Sequence, residues 1–230
     1  YGSTLEAVGG LAWATGYHGE APVVTGRDLN YPDQIVALFA AGMVLAAWLG
    51  RSRGQGGAVL DVSQRELTSF LLGEMFLTCD TLPEPARTGN AEPQYLVQDC
   101  FLAADDVWVA VSIGHEDIGA LSGCLDALPE GPSVGVLTSR LTAWMRGGDS
   151  GARVAALTAA GIAAAPVLGG RDVIERRDCL WDSALVTAGD GSILKGMPFR
   201  VGSGPLSVAR DAPTIGQHTW EVLERIAGYS

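Results

Sequence analysis

Few side chains in this sequence have a setting suited to chemistry, and Asp33 has the best one. It closes Asn30-Tyr31-Pro32-Asp33 and stands directly ahead of a long apolar run. A carboxylate at a helix start tends to stay ionised, because the unpaired N–H groups and the helix dipole favour negative charge there. Such a group can serve as a nucleophile or a base. It can equally do no more than cap its helix, and the local sequence leaves both readings open.

The other candidates are weaker. His18, His115 and His218 lie far apart with no His or Cys at ligand spacing, so no metal site is expected. No Gly-x-Ser-x-Gly is present to build a nucleophile elbow, and Ser63 falls at a helix start. Gly54-Gln-Gly-Gly57 has neither Walker nor Rossmann spacing; it is either a plain turn or a loop that approaches phosphate. His115-Glu116-Asp117 could pair an acid with a base. Neighbours in a loop point different ways, however, and two carboxylates also suit the first turn of a helix. Arg51 and Arg53 could meet an anion or could simply end a solvated helix.

The elements that must position Asp33 follow from the surrounding pattern. Leu5 to Thr15 is a small-residue apolar stretch, and residues 16–30 form a loop carrying Gly19, Pro22 and Gly26. Pro32 opens a helix at a position where its missing N–H costs nothing. Apolar residues occupy nearly every face from Ile35 to Leu49, so this helix is expected to be buried all round. A turn at residues 50–57 leads to a short strand, Ala58 to Val62. Ser63-Gln64-Arg65-Glu66 then fits a capping box and starts a helix with Leu67, Phe70, Leu71, Met75 and Phe76 on one side. Thr81-Leu-Pro-Glu-Pro-Ala86 marks a linker.

Beyond it the period changes. Tyr95 to Leu102 and Val107 to Ile113 alternate as two strands of a hairpin around Ala-Ala-Asp-Asp. Helical patterns follow over 116–128, 139–145 and 150–160, the last closed by Gly161. Residues 162–168 form an apolar strand-like run, 171–177 a short helix, 185–211 short strands and turns, and 217–227 a terminal amphipathic helix. The whole describes an α/β chain.

Composition narrows the function. The net charge of −11 argues against nucleic acid, which needs clustered basic side chains. Lys195 is the only lysine. Cys79, Cys100, Cys124 and Cys179 are scattered without a C-x-x-C, as free thiols in a reducing compartment would be, and a cytoplasmic protein is expected. The uncharged run from Gln34 to Gly50 approaches the length of a membrane span, but it is rich in Ala and Gly. A packed core helix is expected there, and no membrane partner. Tyr1 opens mid-pattern, without a Met or a basic leader, so the chain reads as the back portion of something longer.

Taken in order, these landmarks resemble the class III CoA-transferases, the family of formyl-CoA transferase and carnitine CoA-transferase. The likeness rests on Gly10-Leu-Ala-Trp-Ala-Thr-Gly16, Tyr31-Pro-Asp33 before an Ala-rich helix, and Arg51-Ser-Arg-Gly-Gln-Gly-Gly57 leading into Asp61-Val-Ser63. It continues through Arg87-Thr-Gly-Asn90, Ala160-Gly-Ile-Ala-Ala-Ala-Pro-Val167, and Ala212-Pro-Thr-Ile-Gly-Gln-His-Thr219 with Glu221-Val-Leu. Each motif is weak alone, and their order and spacing make the match.

The resemblance implies a C-terminal portion of that fold, lacking the Rossmann-like N-terminal half that supplies most CoA contacts, with residues 1–80 and 166–230 expected in its large domain and 81–165 as a small α+β domain. It implies that Asp33 is the nucleophile, attacking an acyl-CoA thioester to give a mixed anhydride and then an aspartyl-CoA thioester. Coenzyme A enters as acyl-CoA substrate, with a small carboxylic acid as acceptor. Tyr1 and Ser63 would sit on the CoA side. An interlocked homodimer is implied, with the missing half in the same or a separate polypeptide. The related α-methylacyl-CoA racemases use an aspartate at the Asp33 position with a histidine whose place Tyr1 takes here, which favours the transferase. A non-catalytic half of a split or tandem enzyme is a third reading. The family's glycine loop has no counterpart in residues 89–94, so that feature does not carry over.

Overall fold

The computed structural model describes residues 2–25, 30–78, 87–125, 128–175, 184–197, 202 and 210–229. It divides into two compact units, Tyr1–Pro166 and Val167–Ser230.

The first unit begins with three helices that pack on one another, α1 (Gly2–Gly9), α3 (Tyr31–Ser52) and α4 (Gln64–Phe70). A one-turn helix, α2 (Leu11–Ala14), follows α1 after Gly10, which holds φ at 93°, a conformation that favours glycine. Pro32 lies in the first turn of α3, with Asp33 in the same turn and Arg51 in the last, signs that suit the helix dipole. The α1–α4 contact depends on a bare backbone. A Cβ on Gly9 would stand 2.7 Å from Thr68 Cγ2, and Ser69 Oγ donates to the Gly9 carbonyl at 3.0 Å.

Three sequence expectations fail here. α3 is not buried all round: Pro32 and Val36 are its buried residues, while Leu38, Phe39, Met43, Val44, Leu45, Trp48 and Leu49 are exposed. Hydrophobicity on every face requires a cover but does not say that the same stretch of chain supplies it, and α1 and α4 reach only one side. By length and composition alone α3 could also cross a membrane. Second, Ala58–Val62 joins no sheet, and Val59 is almost fully exposed. A strand needs a neighbour to take its ladder bonds, and none exists for it among the described residues. Third, the helix opened at Ser63 breaks at Leu71–Leu72, and α5 (Gly73–Thr78) restarts at a glycine. Phe70 still meets Phe39 of α3 edge-to-face, 6.1 Å between centroids. The linker at 81–86 lies outside the described residues.

The rest of the first unit forms around an antiparallel sheet in the order β1 (Val97–Leu102), β2 (Trp108–Ile113), β3 (Ala163–Pro166). Val97, Phe101, Val109, Val111 and Ile113 line one face. Leu137, Leu141 and Met145, four residues apart on α7 (Val134–Arg146), pack against it with Leu121 of α6 (Ile118–Cys124) and Leu157 of α8 (Ser150–Ala159). α7 starts earlier than its apolar pattern suggests, because Ser133 Oγ caps it by accepting from Val136 N.

Arg87-Thr-Gly-Asn90 ties this part to the helices. The Arg87 guanidinium lies 4.7 Å from the Trp13 ring centroid and donates to the carbonyls of Trp13, Tyr17 and Glu20. Gly89, at φ 62°, donates to Gly16 O, and Asn90 Nδ2 bridges Tyr17 Oη and Asp99 Oδ1.

The second unit holds α9 (Gly170–Glu175) and a small hairpin of β4 (Leu185–Thr187) and β5 (Ile193–Lys195). Its last helical segment, Glu221–Ile226, is wound with i to i+5 bonds instead of the regular amphipathic α-helix expected, and nothing in the structure explains the wide winding.

Candidate active site

Asp33 is half-buried where the starts of three helices meet. Gly2 begins α1, Asn30 precedes α3, and Ser63 precedes α4. Asn30 makes no capping bond with its side chain, which lies over Gly2 instead. A Cβ on Gly2 would come 2.8 Å from Asn30 Cγ, so the glycine lets α1 begin against the turn that carries Asp33.

Gln64 Nε2 donates to Asp33 Oδ1 at 3.0 Å. Because an ionised carboxylate only accepts, the amide must turn its NH2 toward Asp33. No other hydrogen bond to this carboxylate forms among the described residues. The placement of Gln64 comes from α4 itself. Ser63 Oγ accepts from Glu66 N at 3.3 Å, fixing the first turn, and buried Thr68 donates its Oγ1 to the Gln64 carbonyl at 2.8 Å. The same group of helices holds a second carboxylate, the buried Glu6 of α1. It accepts the Thr25 backbone N–H at 2.8 Å and the Thr25 hydroxyl, and so ties Thr25 to α1.

The structure therefore brings Ser63 close to Asp33 through its neighbour Gln64 and uses the Ser63 hydroxyl as a helix cap. Tyr1 lies outside the described residues. Gln64 and Glu6 are the two residues that sequence reasoning missed. Gln64 looked like an interior member of a capping signature, and nothing in its spacing shows contact with a residue 31 positions upstream. Glu6 sits alone in an apolar stretch, and a lone acid there was the available signal.

Other candidates take structural roles. Asp117 Oδ2 accepts from Gly114 N at 2.7 Å, so the acid cluster winds the entry to α6. Gly54 and Gly56 take positive φ in the turn after α3. Burial pushes the Cys100 thiol up, and the Asp99 carboxylate adds to this, which makes it a poor nucleophile. Among the described residues no three His, Cys, Asp or Glu side chains gather to hold a metal ion.

A half-buried carboxylate with one oxygen hydrogen-bonded can attack an electrophilic carbonyl or accept a proton from carbon. Comparison with known proteins narrows this. Residues 1–219 match the model of CoA-transferase family III. The probable CoA-transferase Rv1866 of Mycobacterium tuberculosis is 28% identical over 86% of this chain, which spans only 27% of that protein. A CAIB/BAIF family protein from Brucella suis shares the fold at a TM-score of 0.81, with 20% identity, covering 98% of this chain and 62% of that one. The hypothetical protein Rv3272 from M. tuberculosis does so at a TM-score of 0.73, with 18% identity, covering 95% of this chain and 61% of that one.

Proposed function

The chain belongs to CoA-transferase family III, and from that premise we propose that it moves CoA from an acyl-CoA donor to a carboxylic acid, with Asp33 as the covalent nucleophile. Its α/β fold is that of part of a family member, spanning 62% of the Brucella chain. The reaction is accordingly proposed for the complete assembly. The remainder of the fold, in the same polypeptide or a separate chain, supplies further CoA contacts, and Ser63 and Tyr1 lie on the CoA side of the site. The assembly is a homodimer when complete.

One observation supports the reading: the Asp33 carboxylate sits in the first turn of α3 with Oδ1 hydrogen-bonded to Gln64 and Oδ2 without a hydrogen bond among the described residues. Oδ2 attacks the thioester carbonyl, and CoA thiolate leaves, giving an acyl-aspartyl anhydride. The thiolate attacks Asp33 Cγ, and the donor acid departs as its carboxylate. The acceptor carboxylate then attacks the aspartyl thioester, expelling CoA thiolate and forming a second anhydride, and the thiolate attacks the acceptor's acyl carbon, releasing the acceptor acyl-CoA and the Asp33 carboxylate. Each covalent step is easier than direct exchange between acids.

The test is mass spectrometry of the protein as its own cells make it, with any co-purifying chains, after brief incubation with a pool of acetyl-, propionyl-, malonyl- and succinyl-CoA. A hydroxylamine-labile adduct on Asp33, lost in Asp33→Asn together with turnover, is expected. Exchange of the acyl α-proton with deuterated solvent and no adduct would instead indicate a racemase. Full activity in Asp33→Ala would make this a non-catalytic portion.

A further inference from the structure

We infer that Gln64 is a catalytic residue: its side-chain amide is the oxyanion donor for attack at Asp33 Cγ. This rests on the covalent reading above and adds a division of labour between the two carboxylate oxygens. Gln64 Nε2 lies 3.0 Å from Asp33 Oδ1, within the range at which a donor stabilises a developing oxyanion.

The consequence follows from which atoms react. When Oδ2 attacks the donor thioester it becomes the bridging oxygen of the anhydride, and Oδ1 becomes the carbonyl oxygen on Cγ. CoA thiolate then forms an S–Cγ bond. The electron pair of the Cγ–Oδ1 double bond moves onto Oδ1, and the Gln64 N–H meets that charge. As the carbonyl reforms, the Cγ–Oδ2 bond breaks, and the donor acid leaves as a carboxylate carrying Oδ2. The acceptor carboxylate later attacks the same carbon, Oδ1 again takes the charge, and the S–Cγ bond breaks to release CoA thiolate as the carbonyl reforms. By contrast, the charge in the first attack develops on the donor's own carbonyl oxygen, which Gln64 does not touch. Gln64 therefore serves the steps at Cγ and not the steps at the substrate acyl carbon.

A preorganised donor is worth more than a mobile one, and Gln64 is held. It is the first residue of α4, behind the Ser63 cap, and its carbonyl accepts the hydroxyl of buried Thr68. Thr68 in turn packs on Gly9 of α1. The amide needs only to keep a bond that the resting site already makes.

The test compares the unsubstituted protein, isolated with its co-purifying chains, with Gln64→Leu and Gln64→Met under rapid quench. The same four acyl-CoA thioesters serve as donors, and peptide mapping distinguishes Asp33 carrying an acyl group from Asp33 carrying CoA. In Gln64→Leu, kcat is expected to fall about 10²- to 10³-fold, as on removal of one oxyanion donor, with no rise in the donor KM. The acyl anhydride should accumulate at the expense of the CoA thioester. Gln64→Met keeps the length of the side chain but removes the donor, so it should show the same accumulation even if the leucine variant fails to fold. Unchanged rates and adduct distribution in either folded variant would overturn the inference while leaving Asp33 as nucleophile. Absence of any Asp33 adduct in the unsubstituted protein would overturn both.

Discussion

At the scale of single residues, small side chains and missing ones decide how close the functional groups can come. Gly9 is the clearest case. A Cβ there would lie 2.7 Å from Thr68 Cγ2 and 2.9 Å from Thr68 Cβ. The second of these atoms cannot swing away, so the α1–α4 contact must open. Gly9→Ala is expected to destabilise the protein by about 1–3 kcal/mol, the usual cost of overpacking, measured as a lower midpoint in denaturant unfolding. Because Thr68 also holds the Gln64 carbonyl, the same variant should slow turnover. A Gly9→Ala protein with an unchanged midpoint would show that the two helices are not in tight contact. Residue type carried part of this site in the sequence: Asp33 stood out because a carboxylate behind Tyr-Pro and before an apolar run has a definite electrostatic setting. Gln64 did not, since an amide at a helix start has several uses, and only the fold shows which carboxylate it meets.

At the scale of elements, legibility followed the range of the interactions that define each one. The β1–β2 hairpin was visible because alternation is local. So was the end of α8, where Gly161 at φ 82° donates to Thr158 O and Ile162 donates to Leu157 O. Ala58–Val62 has the composition of a strand, but a ladder needs a second strand and the composition cannot supply one. The hairpin tip shows how elements lock together in ways the pattern does not reveal. Ala104 N donates to Gly148 O, and Asp105 accepts from the Ser150 hydroxyl and backbone N–H at the start of α8. The Ser150 hydroxyl is the main cause that holds the Asp105 carboxyl below its ordinary range. A carboxyl lowered in the folded state stabilises above its unfolded value, and that contribution disappears as pH falls through the folded value. Asp105→Asn is therefore expected to flatten the acid limb of the melting temperature against pH, below the ordinary carboxylate range. Identical acid limbs in the two proteins would show that the Ser150 contact contributes nothing.

At the scale of the molecule, the largest unresolved demand is the cover for α3. Seven large apolar side chains between Leu38 and Leu49 are exposed in a helix whose sequence contains no charge from Gln34 to Gly50. A contiguous apolar face of this kind is normally buried against protein or lipid. Periodicity could announce the need but not the partner, and for that reason the expectation of a helix buried within this chain failed. The fold shared with a Brucella protein accounts for 62% of that protein's chain, so the matching remainder of the fold is the cover we propose. Hydroxyl-radical footprinting of the protein as isolated from its own cells discriminates the cases. Met43 and Trp48, 39% and 63% exposed in this chain, should be strongly protected, while Trp220 at 72% serves as the internal reference. Oxidation of Met43 and Trp48 in proportion to those exposures would mean that the α3 face is open in the native protein. Protection that appears only when lipid vesicles are added would assign the helix to a bilayer and remove the argument for a complementary protein half.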